Sequence, residues 1–311
     1  MASLNIAVVG ENAQKRAEAA HALGKKSSED DLAFYHTVFQ GKIISAIDSC
    51  AYPQKLSSLL QAIELADWTL VLADAPSPTL GEIIVALDLL GAKTVFAGAL
   101  DFGPLIGKTS LKESPCFSSV DEAKEFLLQQ EPERQQGGAL VLIDHCFEVK
   151  GVGTVALGVV KRGGVNVHDK LASSPLGREI EVKSMQKNDA DVKAAEAGDR
   201  VGLSIKNAKA EEVERGTVLS RQELAAKKEI ACEVSVSKFS RAPVISGASF
   251  HLMAGLQFEP CVVECVSEIR PGASGAAKII LQKPVCVVSG EKMLLCDLNA
   301  KGPRALACCT A

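Results

Sequence analysis

The way apolar segments alternate along the chain changes after about residue 128, and this change limits the possible folds most. Up to that point, short apolar runs are separated by segments whose apolar residues have helical spacing; the runs are "LNIAVVG", "KIISAID", "WTLVLAD" and "TVFAGALD". Strands that alternate with helices in this way form parallel βα units. The sequence therefore predicts an α/β domain with a doubly wound parallel sheet, in which "AQKRAEAAHALGKK" contains the first helix, closed by Gly24.

The remainder of the chain predicts only strands. A polar linker, "QQEPERQQGG", is followed by short β-branched runs with glycine-containing turns, and a second polar break at "SRQELAAKKE" precedes another such set. Two small all-β modules fit closed barrels, because closure leaves no unprotected sheet edge. We predict three domains, over residues 1–136, 137–222 and 228–311.

Composition excludes several classes of protein. The chain has 311 residues, of which 47% are hydrophobic and 23% charged, so a disordered chain is excluded. No apolar run approaches the roughly 20 residues that span a bilayer, and no signal peptide is recognised, so a cytoplasmic location is predicted. The ten cysteines lie mostly in strand-like runs without a C-x-x-C pair, which favours buried thiols over disulfides or a zinc site.

Charge is unevenly distributed along the chain. Residues 1–136 carry 11 basic and 18 acidic side chains, a balance of −7, whereas residues 221–311 carry 11 and 8, a balance of +3. A mildly basic C-terminal part permits a polyanionic partner there, because basic side chains release counterions when they bind phosphates. Ordinary solvated charged faces explain the same distribution equally well.

The middle module carries a specific pattern of turns. It contains "IDHCFEVKGVGTVALGVVKRGGVNVHDKL", followed by "AEAGDRVGLSIKNAKAEEVERGTVLS". Gly151 and Gly153 allow a tight turn between strands, and the segment "AGD" forms a second turn. With its spacings intact over about 75 residues, the module closely resembles the second domain of elongation factor Tu, the selenocysteine-specific elongation factor and the gamma subunit of archaeal initiation factor 2. The last module resembles the third domain of these proteins more loosely.

This resemblance implies that the first domain is a P-loop-type domain of the translational GTPase family. In that family the domain binds GTP or GDP with Mg²⁺, and the matching positions here are Gly10, Lys15, Arg16, Asp48 and Asp101. Asp48 would also be the magnesium ligand. A P-loop of the form G-x-x-x-x-G-K-S/T surrounds phosphates with backbone amides, while its lysine reaches the phosphates and its hydroxyl ligates magnesium.

Several positions depart from the family motifs. Lys15 stands at the second glycine, Arg16 at the lysine and Ala17 at the serine or threonine. After Asp48, Ala51 replaces the glycine of Asp-x-x-Gly and Tyr52 replaces the histidine that positions the attacking water. We therefore predict no catalytic residue and no efficient hydrolysis, and nucleotide binding stays open. Lys15, Asp48 and Asp101 could equally be a solvated lysine and two residues at strand ends.

The resemblance also implies a binding groove beside the middle barrel, which in the family holds the aminoacylated 3′ end of tRNA. The pocket position after Ala-Gly-Asp is Arg200, where elongation factor Tu has asparagine, and a family acidic position falls at or near Ala194. A cation at Arg200 could meet a phosphate or an acidic aminoacyl group. Arg200 could equally be a solvated turn residue.

The favoured hypothesis is a monomeric, elongation-factor-like protein that binds aminoacyl-tRNA and has a degenerate nucleotide site. The ribosome is a possible further partner, and neither a membrane nor DNA is expected as a partner. A GTPase of the selenocysteine-specific type is the first alternative. A non-catalytic scaffold that contacts the ribosome or translation factors is the second. A dinucleotide-binding dehydrogenase is disfavoured, because "VVGENAQKR" lacks the second and third glycines of G-x-G-x-x-G.

Overall fold

A computed structural model describes residues 2–311 and shows three domains in chain order. The strands of the first domain are β1 (Ser3–Gly10), β2 (Lys25–Glu29), β3 (Ala33–Phe39), β4 (Lys42–Asp48), β5 (Trp68–Leu72), β6 (Thr94–Ala97) and β7 (Cys116–Phe117). They form one sheet in the order β2-β3-β4-β1-β5-β6-β7. Five neighbouring strands, β4, β1, β5, β6 and β7, run parallel, whereas β3 pairs antiparallel with both β2 and β4.

Helices cover both faces of this sheet, as the doubly wound prediction requires. They are α1 (Ala13–Leu23), α2 (Leu56–Leu65), α3 (Pro78–Leu90), α4 (Gly103–Ile106) and α5 (Val120–Leu128). Successive side chains of a strand point to opposite faces. Accordingly, Ala7 and Val9 of β1 pack with α2 and α3, whereas Ile6 and Val8 pack with α1 and α5.

Two strands at the edge of this sheet were not predicted. The first helix ends at Leu23, and the amide of Gly24 donates to the carbonyls of Ala20 and His21. The helix closes at Gly24 as predicted, and Lys25 and Lys26, which follow that glycine, begin β2. β2, of sequence "KKSSE", has no apolar alternation because it is a largely exposed edge strand. Since β2 begins at Lys25, no long loop separates α1 from the sheet.

The middle domain is a closed six-stranded barrel with two short additions. Its strands are β8 (Leu140–Val149), β9 (Gly153–Arg162), β10 (Gly164–Asn166), β11 (Lys170–Ser174), β12 (Arg178–Lys187), β13 (Ala190–Val192), β14 (Ala194–Glu196), β15 (Arg200–Lys206) and β16 (Val218–Ser220), with a 3₁₀ turn at Ala210–Glu212. The order β11-β16-β8-β9-β15-β12 closes through pairing of β11 with β12. The two additions are β13, which pairs with β12, and the separate two-stranded sheet of β10 and β14. The predicted barrel is confirmed.

The last domain is a second closed six-stranded barrel. Its strands are β17 (Ala226–Val236), β18 (Ser249–Ala254), β19 (Gln257–Cys265), β20 (Ser274–Cys286), β21 (Met293–Cys296) and β22 (Ala305–Thr310). They close in the order β17-β20-β19-β18-β21-β22. β17 begins inside the polar segment that we read as a break between the barrels.

A single apolar cluster joins the three domains. It contains α2 and α3 residues of the first domain, Leu142 and Val159 of the middle barrel, and Met253 and Leu294 of the last barrel. The approach of the barrels is close at Gly216, where φ is +93° and an added Cβ would lie 2.5 Å from the Gln257 side chain. Only glycine tolerates both constraints.

The ten cysteines are free thiols, four of them buried. Across residues 2–311, every helix lacks the length or the apolar character needed to cross a bilayer.

Candidate functional site

The residues predicted to bind nucleotide lie near the carboxyl edge of the parallel strands. Gly10 ends β1, Asp48 ends β4, and only two residues separate Gly10 from the start of α1. Gly10 is required by close packing, because an added Cβ would lie 2.7 Å from the carbonyl oxygen of Leu72. Asn12 caps α1, and its side chain accepts a hydrogen bond of 3.0 Å from the amide of Lys15.

Arg16 lies at the centre of this edge and is fully buried. Its Nε donates to Oδ1 of Asp48 at 2.9 Å, and its Nη1 donates to the carbonyl oxygen of Gly10 at 2.6 Å. Its Nη2 donates to the carbonyl oxygen of Tyr52 at 3.2 Å. Burial raises the pKa of Asp48, and the hydrogen bond from Arg16 acts in the opposite direction. A buried ion pair therefore joins α1, β1 and β4.

Two backbone carbonyls between β1 and α1 point toward the buried Arg16 side chain. The carbonyls of Gly10 and Glu11 accept from the Arg16 guanidinium, and the first-turn amide of Lys15 is held by Asn12. A phosphate needs outward-facing amides, and Mg²⁺ needs free oxygen ligands. This donor set fits a buried guanidinium and does not fit a magnesium–phosphate group. No group of three or more His, Cys, Asp or Glu that could hold a metal occurs within residues 2–311.

The two other predicted residues of this edge have different partners. The ammonium of Lys15 forms an ion pair with Asp74, and both side chains are about half exposed. Asp101 accepts a hydrogen bond of 3.1 Å from the amide of Gly103, at the start of α4. The structure thus brings Gly10, Arg16 and Asp48 together, whereas Lys15 and Asp101 bind other partners, Asp74 and the Gly103 amide. Nucleotide binding by these residues stays a prediction.

A cleft of about 530 Å³ separates the first domain from the middle barrel. Lys25, Lys26 and His36 line it from β2 and β3. Lys187 and Arg200 line it from β12 and β15. The three lysines and Arg200 carry positive charge. His36 is neutral at pH 7, because its burial and, to a smaller extent, the charge of Arg200 lower its pKa to about 4. Asp189 also lines the cleft, so its lining carries more positive than negative charge and favours anionic ligands.

Arg200 is held tightly in the wall of this cleft. Its Nη2 donates to Oδ1 of Asp144 at 2.8 Å, and its guanidinium carbon lies 3.7 Å from the centroid of the Phe34 ring. The Arg200 side chain is 11% exposed, and its Nε is buried without a hydrogen-bond partner among the described residues. Phe34 and Asp144 were missed by sequence reasoning. Arg200 is thus a guanidinium held in a fixed orientation in the cleft wall.

Ala194 does not lie with Arg200. It is an exposed residue of β14, paired with Asn166 of β10, and is absent from the residues that line the cleft. The structure therefore does not bring together the two predicted pocket residues.

The pKa of His36 predicts a pH-dependent stability. The pKa of His36 falls from 6.5 to about 4 on folding. Its contribution to the free energy of unfolding is therefore complete above pH 6.5 and is lost as the pH falls toward 4. We expect wild-type protein to lose about 2 kcal/mol more than His36→Gln between pH 7 and pH 4.5, in urea unfolding followed by circular dichroism. Equal losses in the two proteins would show that His36 is not held neutral.

Comparison with known proteins places this architecture in a family. The family profile "Elongation factor Tu domain 2" matches residues 153–220. An uncharacterized protein of Methanocaldococcus jannaschii is 34% identical over 287 residues, covering 90% of this chain and 91% of the relative. The selenocysteine-specific elongation factor of the same organism is 26% identical over 334 residues, covering 92% of this chain and 70% of the relative. The chain belongs to the translational GTPase family.

A solved structure agrees with this assignment at the level of the fold. The translation elongation factor SelB of Methanococcus maripaludis, in its apo form, superposes with a TM-score of 0.83 at 21% sequence identity. The match covers 99% of this chain and 79% of that chain. The α/β domain followed by two barrels therefore has the same fold as that structure.

Proposed function

We propose that this protein binds aminoacyl-tRNA through the cleft and the two barrels, and that its guanine-nucleotide site is degenerate. The observation that carries the proposal is the cationic cleft that contains Arg200. It lies between the first domain and the middle barrel, and Arg200 in its wall is a position that the family resemblance assigns to the pocket for the aminoacylated 3′ end of tRNA.

The cleft wall that carries Arg200 is fixed before any ligand binds. Nδ2 of Asn5 donates to the carbonyl oxygen of Gly198 at 2.8 Å, and the hydroxyl of Ser3 donates to Oδ1 of Asp199 at 2.7 Å. These bonds tie the Ala-Gly-Asp turn before Arg200 to β1. A preorganised pocket loses less conformational entropy on binding.

The charge of the cleft suits the phosphate at the end of a tRNA. Lys26 forms an ion pair with Glu29, and Lys187 forms one with Asp199 at 2.5 Å. Within residues 2–311, Lys25 forms no ion pair. A ligand that meets such cations binds with a strong dependence on salt concentration.

The buried Arg16–Asp48 pair supports the second half of the proposal. Its guanidinium engages the loop carbonyls that follow β1, and its bond to Asp48 engages the proposed magnesium ligand. Because a GTP·Mg²⁺ complex would need to displace this buried pair, we propose that binding of aminoacyl-tRNA does not require GTP. Calorimetric titration with GTP and with GDP should give no measurable heat.

The proposal is tested by filter binding of charged and deacylated tRNA. We expect charged tRNA to bind more tightly, and Arg200→Gln to weaken it about tenfold, as expected for loss of a charge-assisted hydrogen bond. Lys206→Gln is the matched control, because Lys206 lies on the same strand and pairs with Glu181 at an exposed position. Equal binding of charged and deacylated tRNA would contradict the proposal.

Two other outcomes would favour the alternative functions. Heat on titration with GTP, followed by phosphate release with ribosomes, would indicate a GTPase of the selenocysteine-specific type. Indifference to every tRNA, together with recovery of the protein on purified ribosomes, would indicate a scaffold.

A further inference from the structure

A cluster of three side chains joins the first domain to the last barrel. The hydroxyl of Tyr52 donates to Oε1 of Glu82 at 2.9 Å. Arg304, which precedes β22, donates from Nε to Oε2 of Glu82 at 2.8 Å and from Nη2 to Oε1 at 2.6 Å. Its backbone amide also donates to Oε2 of Glu82 at 2.9 Å. Arg304 and Glu82 thus form a bidentate pair between domains.

The cluster is shielded from solvent. Tyr52 is 1% exposed, and the side chains of Glu82 and Arg304 are 7% and 21% exposed. Burial acts to raise the pKa of Glu82, but the hydrogen bonds from Arg304 outweigh it and the pKa is lowered. The carboxylate therefore stays charged at neutral pH.

Residues 48–53, the segment that contains Tyr52, are also linked by hydrogen bonds to Arg16 and Arg304. Arg16 donates to the carbonyl oxygen of Tyr52 at 3.2 Å, and Arg304 donates to the carbonyl oxygen of Pro53 at 3.0 Å. Residues 48–53 are therefore held by one arginine from the first domain and by another from the last barrel. By resemblance, this segment contains the Asp-x-x-Gly motif and the position of the family histidine.

Apolar and amide contacts extend this interface. Helix α3 packs against β21 and β22, and the apolar cluster continues from α3 into the last barrel. Gln61 of α2 donates to the carbonyl oxygen of Leu256 at 2.7 Å and accepts from Arg215 at 3.2 Å. Gln61 is 6% exposed and so bridges all three domains from a buried position.

We propose that Arg16 and Arg304 serve as built-in substitutes for a bound nucleotide, holding residues 48–53 and the last barrel in one arrangement. This inference rests on the proposed degenerate nucleotide site and extends it to the regulation of the protein. The domain arrangement is set by the chain itself and does not respond to GTP or GDP.

The first test uses the wild-type protein. Small-angle scattering and amide hydrogen exchange are recorded alone, with millimolar GTP and Mg²⁺, and with millimolar GDP and Mg²⁺. We expect the three scattering curves to superpose and the protection of residues 49–55 to be the same. A nucleotide-dependent change in either measurement would overturn the inference.

The second test removes the link between the domains. Arg304→Ala should increase amide exchange of residues 49–55 by about tenfold or more, because local opening then breaks fewer charge-assisted hydrogen bonds. Lys292→Ala is the control, since Lys292 spans the same two domains through an exposed hydrogen bond of 3.1 Å to the carbonyl of Leu89. Equal exchange in the two variants would refute the link.

A milder variant covers the case in which Arg304→Ala fails to fold. Tyr52→Phe removes only the hydroxyl that donates to Glu82 and should raise exchange of the same residues about threefold. Exchange at the wild-type rate would count against the cluster. Neither test uses tRNA, so failure of tRNA binding and failure of the domain link are separate results.

Discussion

Replacing Arg16 by alanine should lower the free energy of unfolding by about 3–5 kcal/mol, the range found when one partner of a buried ion pair is removed. Asp48 would remain 3% exposed and lose its guanidinium, and the carbonyls of Gly10 and Tyr52 would lose a donor. Unfolding in urea, followed by circular dichroism at pH 7, measures the change. A cost of this size would identify Arg16 as an internal structural ligand.

The neighbouring residue provides a matched control. Lys15 also forms an ion pair, with Asp74, but the two side chains are 52% and 48% exposed. Exposed pairs of this kind contribute about 0–1 kcal/mol. Lys15→Ala should therefore stay within that range. If the two substitutions cost the same, the buried role of Arg16 would be wrong.

Replacing Asp144 by alanine should cost about 2–4 kcal/mol and should also weaken binding of charged tRNA. The Asp144 side chain is 1% exposed and is the carboxylate that holds Arg200, so its loss leaves a nearly buried guanidinium without its ion-pair partner, in contact with the Phe34 ring. The same urea experiment measures the stability, and filter binding measures the affinity. We expect both to fall because Arg200 loses its fixed orientation.

Two variants separate this effect from a general loss of charge. Asp144→Asn keeps an oxygen acceptor for Arg200 and should cost less than Asp144→Ala. Glu181→Ala removes the partner of Lys206, a pair in which the lysine is 49% exposed, and should cost less than about 1 kcal/mol. An unchanged tRNA affinity in Asp144→Ala would show that Arg200 needs no positioning.

The parts of the fold that follow a clear sequence period could be predicted. β1 and β4 are entirely buried and mostly apolar, and α2 has apolar residues at helical spacing. The middle barrel was recognisable because its turns need glycine at fixed spacings. β2 could not be predicted in this way, because an exposed edge strand has neither an apolar run nor alternation.

The candidate site was less accessible from sequence, because its contacts join distant residues. The sequence places Arg16 at the lysine position of a P-loop, but its acceptors at Asp48 and Tyr52 lie 32 and 36 residues away. One available signal was Glu82, which lies among apolar residues in the segment "LGEIIVAL" of α3. A charged residue on a buried helix face requires a partner, although the sequence alone does not identify Arg304 as that partner.

The affinity for charged tRNA, measured with and without a non-hydrolysable GTP analogue, tests the central claim most directly. The buried Arg16–Asp48 pair and the cationic cleft predict tighter binding of charged than of deacylated tRNA, with an affinity that the analogue leaves unchanged. Binding that appears only with the analogue, or no preference for charged tRNA, would contradict the account.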